Sequence, residues 1–253
     1  MSIARNFVLA ALLAPAWLLA PTPARAQQGG DLQAQIVYAY QAEDIHLLSD
    51  LIHQLAERVQ ADPADASLRY HLAHAQYRFG LLAGEARARE AESAFENCVD
   101  ELKPVLRQGA KQAESLALQS ACYAALANFK KLEAVLLRSR AGVRLQAALK
   151  LAPRNPRVTY LLSEEDLARA KPGSAEYSHA FSQLQLAAQL FEQSPATNAD
   201  APGWGHAETY LALGRELRLR GDVLAARNWI EKSLIVAPDY KAAQRELKLL
   251  ATR

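Results

Sequence analysis

Cys98 and Cys122 are the two cysteines of the 253-residue chain. They lie almost symmetrically about a turn signal at Gly109. Two antiparallel helices joined there would bring them to the same height. Cys98 shares a helical face with Ala91, Ala94, Phe95 and Leu102, and Cys122 shares one with Leu118, Ala125 and Phe129. Both faces are apolar, so a disulfide is expected in an oxidising compartment, provided the Cα atoms come within about 7 Å. Two buried thiols are the alternative. There is no C-x-x-C redox pair. His71 and His74 are spaced to share one helix face, but no third ligand follows at a useful spacing, and zinc takes at least three from the protein. His46 and His53 carry less weight still. Glu164, Glu165 and Asp166 are adjacent, and adjacent helical residues do not face one another, so they do not form an acid/base pair. The chain has no H-E-x-x-H, no glycine-rich phosphate loop and no G-x-S-x-G. It reads as no enzyme, with no catalytic residues, cofactor or metal.

Helices account for nearly all of the chain. Ala, Leu, Glu, Gln and Arg dominate, and runs of β-branched residues with period two are absent. Asp31–Gln41 reads as a short helix, with a tight turn at Ala42-Glu43-Asp44. Ile45, Leu48, Ile52, Leu55 and Val59 repeat at helical spacing. Asp62-Pro63-Ala64-Asp65 ends that helix and offers Asp65 as the next N-cap. Helices follow to about Leu82, from Glu85 to Arg107 with Pro104 in the last turn, over 111–129 and over 132–151. Asn155-Pro156 supplies a cap and a first-position proline. Two more helices flank Pro172-Gly173-Ser174. Residues 194–203 read as a loop, and three further helices complete the chain. The expected fold is all-α, with about eleven helices stacked as antiparallel hairpins.

Residues 1–26 read as a cleaved signal peptide. Arg5 precedes an apolar run from Phe7 to Leu19, Pro21 and Pro23 break any helix, and Ala24-Arg25-Ala26 fits a cleavage site. The run is short for a membrane span of about 20 residues. A retained anchor is the alternative. No later stretch is long and apolar enough to span a bilayer, so a periplasmic or secreted protein is expected. The whole chain has 29 basic and 27 acidic residues. Arg5 and Arg25 fall in the signal segment and no acid does, so residues 27–253 balance 27 basic against 27 acidic residues. Nothing global points to nucleic acid. One local bias stands out: Lys130, Lys131, Arg138, Arg140, Arg144, Lys150, Arg154 and Arg157 are opposed only by Glu133. That stretch suits either an anionic partner or a solvated outer face.

Residues 207–240 carry a fuller signature. Tyr210, Leu213, Gly214 and Leu217 lie on one helical face, Gly221-Asp222 makes a turn, Ala226, Ile230 and Ser233 lie on a second face, and Pro238 follows. This resembles the W-x₂-L-G-x₂-Y…A-x₃-F…P pattern of the tetratricopeptide (TPR) repeat, a helix–turn–helix of about 34 residues. Looser units occur around 113–153 (Leu116, Ser120, Tyr123; Ala141, Leu145, Ala148) and around 66–80 (Leu72-Ala73, Gly80). Asn155-Pro156-Arg157-Val158 and Pro202-Gly203-Trp204-Gly205 are also similar to stretches of exported bacterial repeat proteins. The resemblance implies a right-handed solenoid over residues 27–253, with first helices lining a concave groove. Carried over residue by residue, the groove candidates are Tyr70, His74, Tyr77, Tyr160, Glu164, Glu208, Arg215 and Arg218, with His71, Arg157, Leu161, Leu211 and Ala212 beside them. Packing against a neighbouring helix is the bland alternative for each. The Lys/Asn set with which some relatives clamp a peptide carboxylate is not matched. The implied function is an exported scaffold binding a protein or peptide in the cell envelope. A soluble small-ligand carrier of an uptake system is the alternative, and a homo-oligomer is left open.

Overall fold

The computed structural model describes residues 23–193 and 203–251, with side chains from residue 32 onward. Among these residues there are eleven α-helices and no strand. They are α1 (Pro23–Gln41), α2 (Ile45–Ala61), α3 (Ala66–Ala83), α4 (Ala88–Arg107), α5 (Gln112–Phe129), α6 (Ala134–Leu151), α7 (Pro156–Arg169), α8 (Ala175–Gln193), α9 (His206–Leu219), α10 (Val223–Val236) and α11 (Lys241–Ala251), with a 3₁₀ turn at Glu85–Arg87 ahead of α4. Most of the signal segment lies outside the described residues. Pro23, read from sequence as a breaker, is instead the first residue of α1, where the missing N–H of proline costs nothing.

Local chemistry sets the boundaries. Asp65 accepts the backbone N–H groups of Ser67 and Leu68, Asn155 those of Arg157 and Val158, and Asp222 that of Ala225. Each cap satisfies donors that the first helical turn leaves free. Consecutive helices pair as antiparallel hairpins, most intimately α3/α4, α5/α6, α7/α8 and α9/α10. The first helices of successive hairpins also touch, α1 to α3, α3 to α5 and α5 to α7, and α11 closes the stack on α10. This is an all-α solenoid of TPR-like hairpins. Each unit buries its apolar stripe only by stacking on its neighbours.

Small residues mark where paired helices cross. A Cβ on Gly214 would lie 2.5 Å from Ile230 Cγ1 on α10, and one on Gly80 would lie 2.7 Å from the Phe95 ring on α4. At the α5/α6 crossing the Ser120 hydroxyl donates to the Ala141 carbonyl at 2.8 Å, and at α9/α10 the Ser233 hydroxyl donates to that of Ala207 at 2.8 Å. Cys98 on α4 and Cys122 on α5 form a disulfide, with Cα atoms 6.3 Å apart and both residues fully buried.

The two ends of the solenoid meet. The Tyr40 ring on α1 lies 6.4 Å from that of Tyr240, just before α11. The Arg245 guanidinium grips the Glu43 carboxylate with two hydrogen bonds of 2.5 and 2.7 Å. Stacked hairpins therefore enclose an inner wall rather than an open trough.

Candidate functional site

The centre of that wall is filled by the protein itself. Gly205 adopts φ +100°, and a Cβ there would lie 2.8 Å from the Phe191 ring, so only glycine fits. This turn drives Trp204 inward, where it is 2% exposed. Its indole Nε1–H donates to the Tyr70 hydroxyl at 3.0 Å, and its ring stacks on His74 with centroids 5.7 Å apart. Arg157, on α7, lays its guanidinium 5.9 Å from the Trp204 ring and 5.4 Å from that of Phe191. The Arg78 Nε–H donates to His74 Nε2 at 3.0 Å. A guanidinium only donates, so the neutral imidazole accepts at Nε2 and carries its proton on Nδ1, which lies 3.3 Å from the Gln33 side-chain amide and pairs with it only through the amide oxygen. Burial first, and then Arg78, hold the His74 pKa well below its ordinary value. The Arg78 guanidinium sits over Tyr40, Tyr77 and Trp204, at 4.3, 5.7 and 5.7 Å from the ring centroids. It donates to Glu208 Oε1 at 2.7 Å, while Glu208 Oε2 accepts the Gly205 N–H at 3.0 Å and so caps α9. Helices α3 and α9 and the turn before α9 thus share one buried hydrogen-bonded network, beside which Arg157 Nε is buried without a hydrogen-bond partner among the described residues.

Beside this plug part of the wall stays open. The half-buried Tyr77 (α3) and Tyr160 (α7) have no hydrogen-bond partner for either hydroxyl among the described residues. Glu164, one turn beyond Tyr160, reaches solvent inside the concavity and has no ion pair or hydrogen bond among the described residues. The surrounding helices partly desolvate its carboxyl, and Glu216 adds like charge. Together they push its pKa up to about 7 against the opposing pull of Arg215. Burial likewise pushes the Tyr77 hydroxyl up to about 12, against the pull of Arg78. Arg215 and Arg218 both donate to Glu246 on α11, from their Nε atoms at 2.9 and 3.1 Å. Glu216 accepts the Tyr177 hydroxyl.

The eight groove candidates therefore divide. Tyr70, His74 and Glu208 face inward but are covered by Trp204 and Arg78, and present no surface to a partner. Tyr77, Tyr160, Glu164, Arg215 and Arg218 reach the open wall. Glu165 and Asp166 turn away to pair with Arg169. The His71 imidazole is buried, with its Nε2 3.4 Å from the Ser67 hydroxyl and its pKa pushed down to about 4, mainly by burial. No group of three or more His, Cys, Asp or Glu suited to a metal occurs among the described residues. At the junction of the two ends, Tyr38, Glu43, Asp44, His46, Asp239 and Lys241 border a further cleft of about 440 Å³.

Sequence reasoning missed Arg78 and the inward role of Trp204. It matched Leu72-Ala73 and Gly80 only loosely and did not choose between them, whereas the crossing residue is Gly80, seven residues beyond Ala73. That register makes Arg78 inward-facing while keeping His74 and Tyr77 there. The packing of Gly80 on Phe95, parallel to that of Gly214 on Ile230, is the signal that identifies it.

No protein-family model matches the chain, and no curated protein matches it. Among solved structures it is similar to a chain in the crystal structure of the APC/C hetero-tetramer Cut9–Hcn1, with 14% identity and a TM-score of 0.39. The match covers 87% of this chain and 42% of that one, so this chain spans less than half the length of its structural neighbour. A likeness of that size carries no argument about activity or partners.

Proposed function

We propose that the protein is an exported TPR-like scaffold that acts by binding a protein or peptide in the cell envelope rather than by catalysis. One observation carries this reading. On the inner wall of a hairpin solenoid, the hydroxyls of Tyr77 and Tyr160 and the carboxylate of Glu164 have no partner among the described residues, beside the half-open Arg215. Inward polar groups without partners gain most from a ligand that satisfies them. A peptide segment offers amide and cationic donors for Glu164 and carbonyl acceptors for both tyrosines. The signal-like segment and the Cys98–Cys122 bridge support export.

The second reading is a soluble carrier of a small ligand. It is favoured by the contact between the two ends and by the Trp204 plug, which together confine the wall. Affinity capture from native envelope extract, using the wild type and the Tyr160→Phe/Glu164→Gln variant, separates the two. The scaffold reading expects a reproducible protein partner that the variant loses. Recovery of no such protein, with a small molecule co-purifying instead, overturns it in favour of the carrier.

A further inference from the structure

A second surface lies on the outside. Helix α6 is the outer helix of its hairpin, and it buries only the stripe Ala134, Leu137, Ala141, Leu145 and Ala148. Its opposite face is apolar along its crest, with Leu132, Val135, Leu136 and Val143 at 104%, 83%, 50% and 66% exposure. At helical spacing Arg140 and Arg144 flank one side of that crest and Arg138 the other, while Lys131 and Lys150 stand at its two ends. All five cations are exposed, and none makes an ion pair among the described residues. Glu133 is the one acid in this stretch. Helix α10 holds the matching place in its own hairpin and also exposes Leu224 and Ile235. There, however, Arg227 is accompanied by exposed Asp222 and Glu231, and the charges balance.

We propose that the outer face of α6 docks the protein onto an anionic lipid bilayer. A convex apolar ridge flanked by Arg140 and Arg144 on one side and Arg138 on the other is the arrangement of an interfacial helix. The ridge enters the boundary of headgroups and acyl chains, and the long basic side chains reach back to phosphates. A bilayer deforms around such a ridge. Because residues 27–253 carry no net charge, the attraction is local to this face and not a property of the whole molecule.

The test is flotation of the protein with vesicles of phosphatidylcholine, or of phosphatidylcholine with about 30 mol % phosphatidylglycerol, at roughly 0.15 M salt. The protein should float with the anionic vesicles and partition at least about tenfold less onto the zwitterionic ones. Arg140→Glu/Arg144→Glu should lower anionic partitioning by a factor on the order of 30. Val135→Ser/Val143→Ser should also weaken it, with a loss that persists at high salt. Arg227→Glu/Lys248→Glu makes the same charge change away from α6 and should stay within about twofold of wild type. All four residues altered in the two α6 variants are exposed, so matched melting curves confirm that the fold is kept. Three results would overturn the proposal: no preference for anionic vesicles, equal losses in the α6 and control charge variants, or capture of an acidic protein by this face without any vesicle binding.

Discussion

Replacing Gly214 by alanine should destabilise the protein, although alanine is the better helix former. The added Cβ would sit 2.5 Å from Ile230 Cγ1, 3.2 Å from Ile230 Cδ1 and 3.1 Å from the Ala226 carbonyl oxygen. Carbon atoms pack comfortably at about 3.5–4.0 Å, so α9 and α10 must separate by roughly 1 Å. Ile230 is fully buried and Ala226 O is backbone, so neither yields cheaply. Overpacking of this kind costs about 1–3 kcal/mol. The gain in helix propensity returns about 1 kcal/mol. With the contact this close, a net loss of roughly 1–2 kcal/mol follows, or about 2–8 °C in melting temperature for a chain of this size. Gly142, on α6, is the control. A Cβ there meets nothing within 4 Å, so Gly142→Ala should stabilise by about 0.5–1 kcal/mol. Thermal and urea melts followed by far-ultraviolet circular dichroism measure both. Ile230→Ala removes the two clashing side-chain atoms, so in that background the Gly214→Ala penalty should shrink by at least about 1 kcal/mol. An unchanged penalty, or a Gly214→Ala protein as stable as Gly142→Ala, would refute the close-crossing account.

Other outcomes follow from the same structure. Serine at both Cys98 and Cys122 opens a loop of 24-residue separation and should cost about 3–4 kcal/mol in denaturant melts by the loop-entropy estimate. Glu208→Gln strands the buried Arg78 charge and should cost about 3–5 kcal/mol, whereas Arg215→Ala leaves Glu246 paired to Arg218 and should cost less than about 1 kcal/mol. Similar losses in equilibrium unfolding would show that the two ion pairs are equally buried. His71, held at about 4 when folded against about 6.5 unfolded, binds fewer protons in the native state between those values. Its contribution is complete above that window and is lost as pH falls through it. Glu164 has the opposite slope. Raised to about 7, it binds more protons in the native state from about 4.5 to 7, so its contribution falls as pH rises through that window. Glu164→Gln should therefore gain melting temperature relative to wild type between about pH 5 and pH 8, and a flat difference would place Glu164 outside the concavity.

What could be read from the sequence was local. Asp65 and Asn155 act over three residues, and each cap signal marks a real helix start. Gly214 and Ala226 belong to one continuous repeat, so their crossing was visible in the pattern. Cys98 and Cys122 were paired by their symmetry about one turn. The register of α3 was not readable. Ala73 and Gly80 are seven residues apart, close to two full turns, so both choices present almost the same face. Helix α3 is also buried on most sides and shows little polarity to break the tie. Contacts that cross the solenoid left no trace in spacing: Arg78 meets Glu208 across 130 residues and Trp204 meets Tyr70 across 134. For the same reason the inner wall looked like an open trough from the sequence. Its closure depends on Tyr40 meeting Tyr240 and Glu43 meeting Arg245, which lie near opposite ends of the fold.

The most direct test of the central claim is the affinity of the captured envelope protein for wild type and for Tyr160→Phe/Glu164→Gln, measured by calorimetry on proteins with matched melting temperatures. If the inner wall is the binding surface, the double variant should bind at least about tenfold more weakly, having lost hydrogen bonds worth roughly 1–3 kcal/mol. Equal affinity for both proteins would move the interaction off the wall and contradict the account.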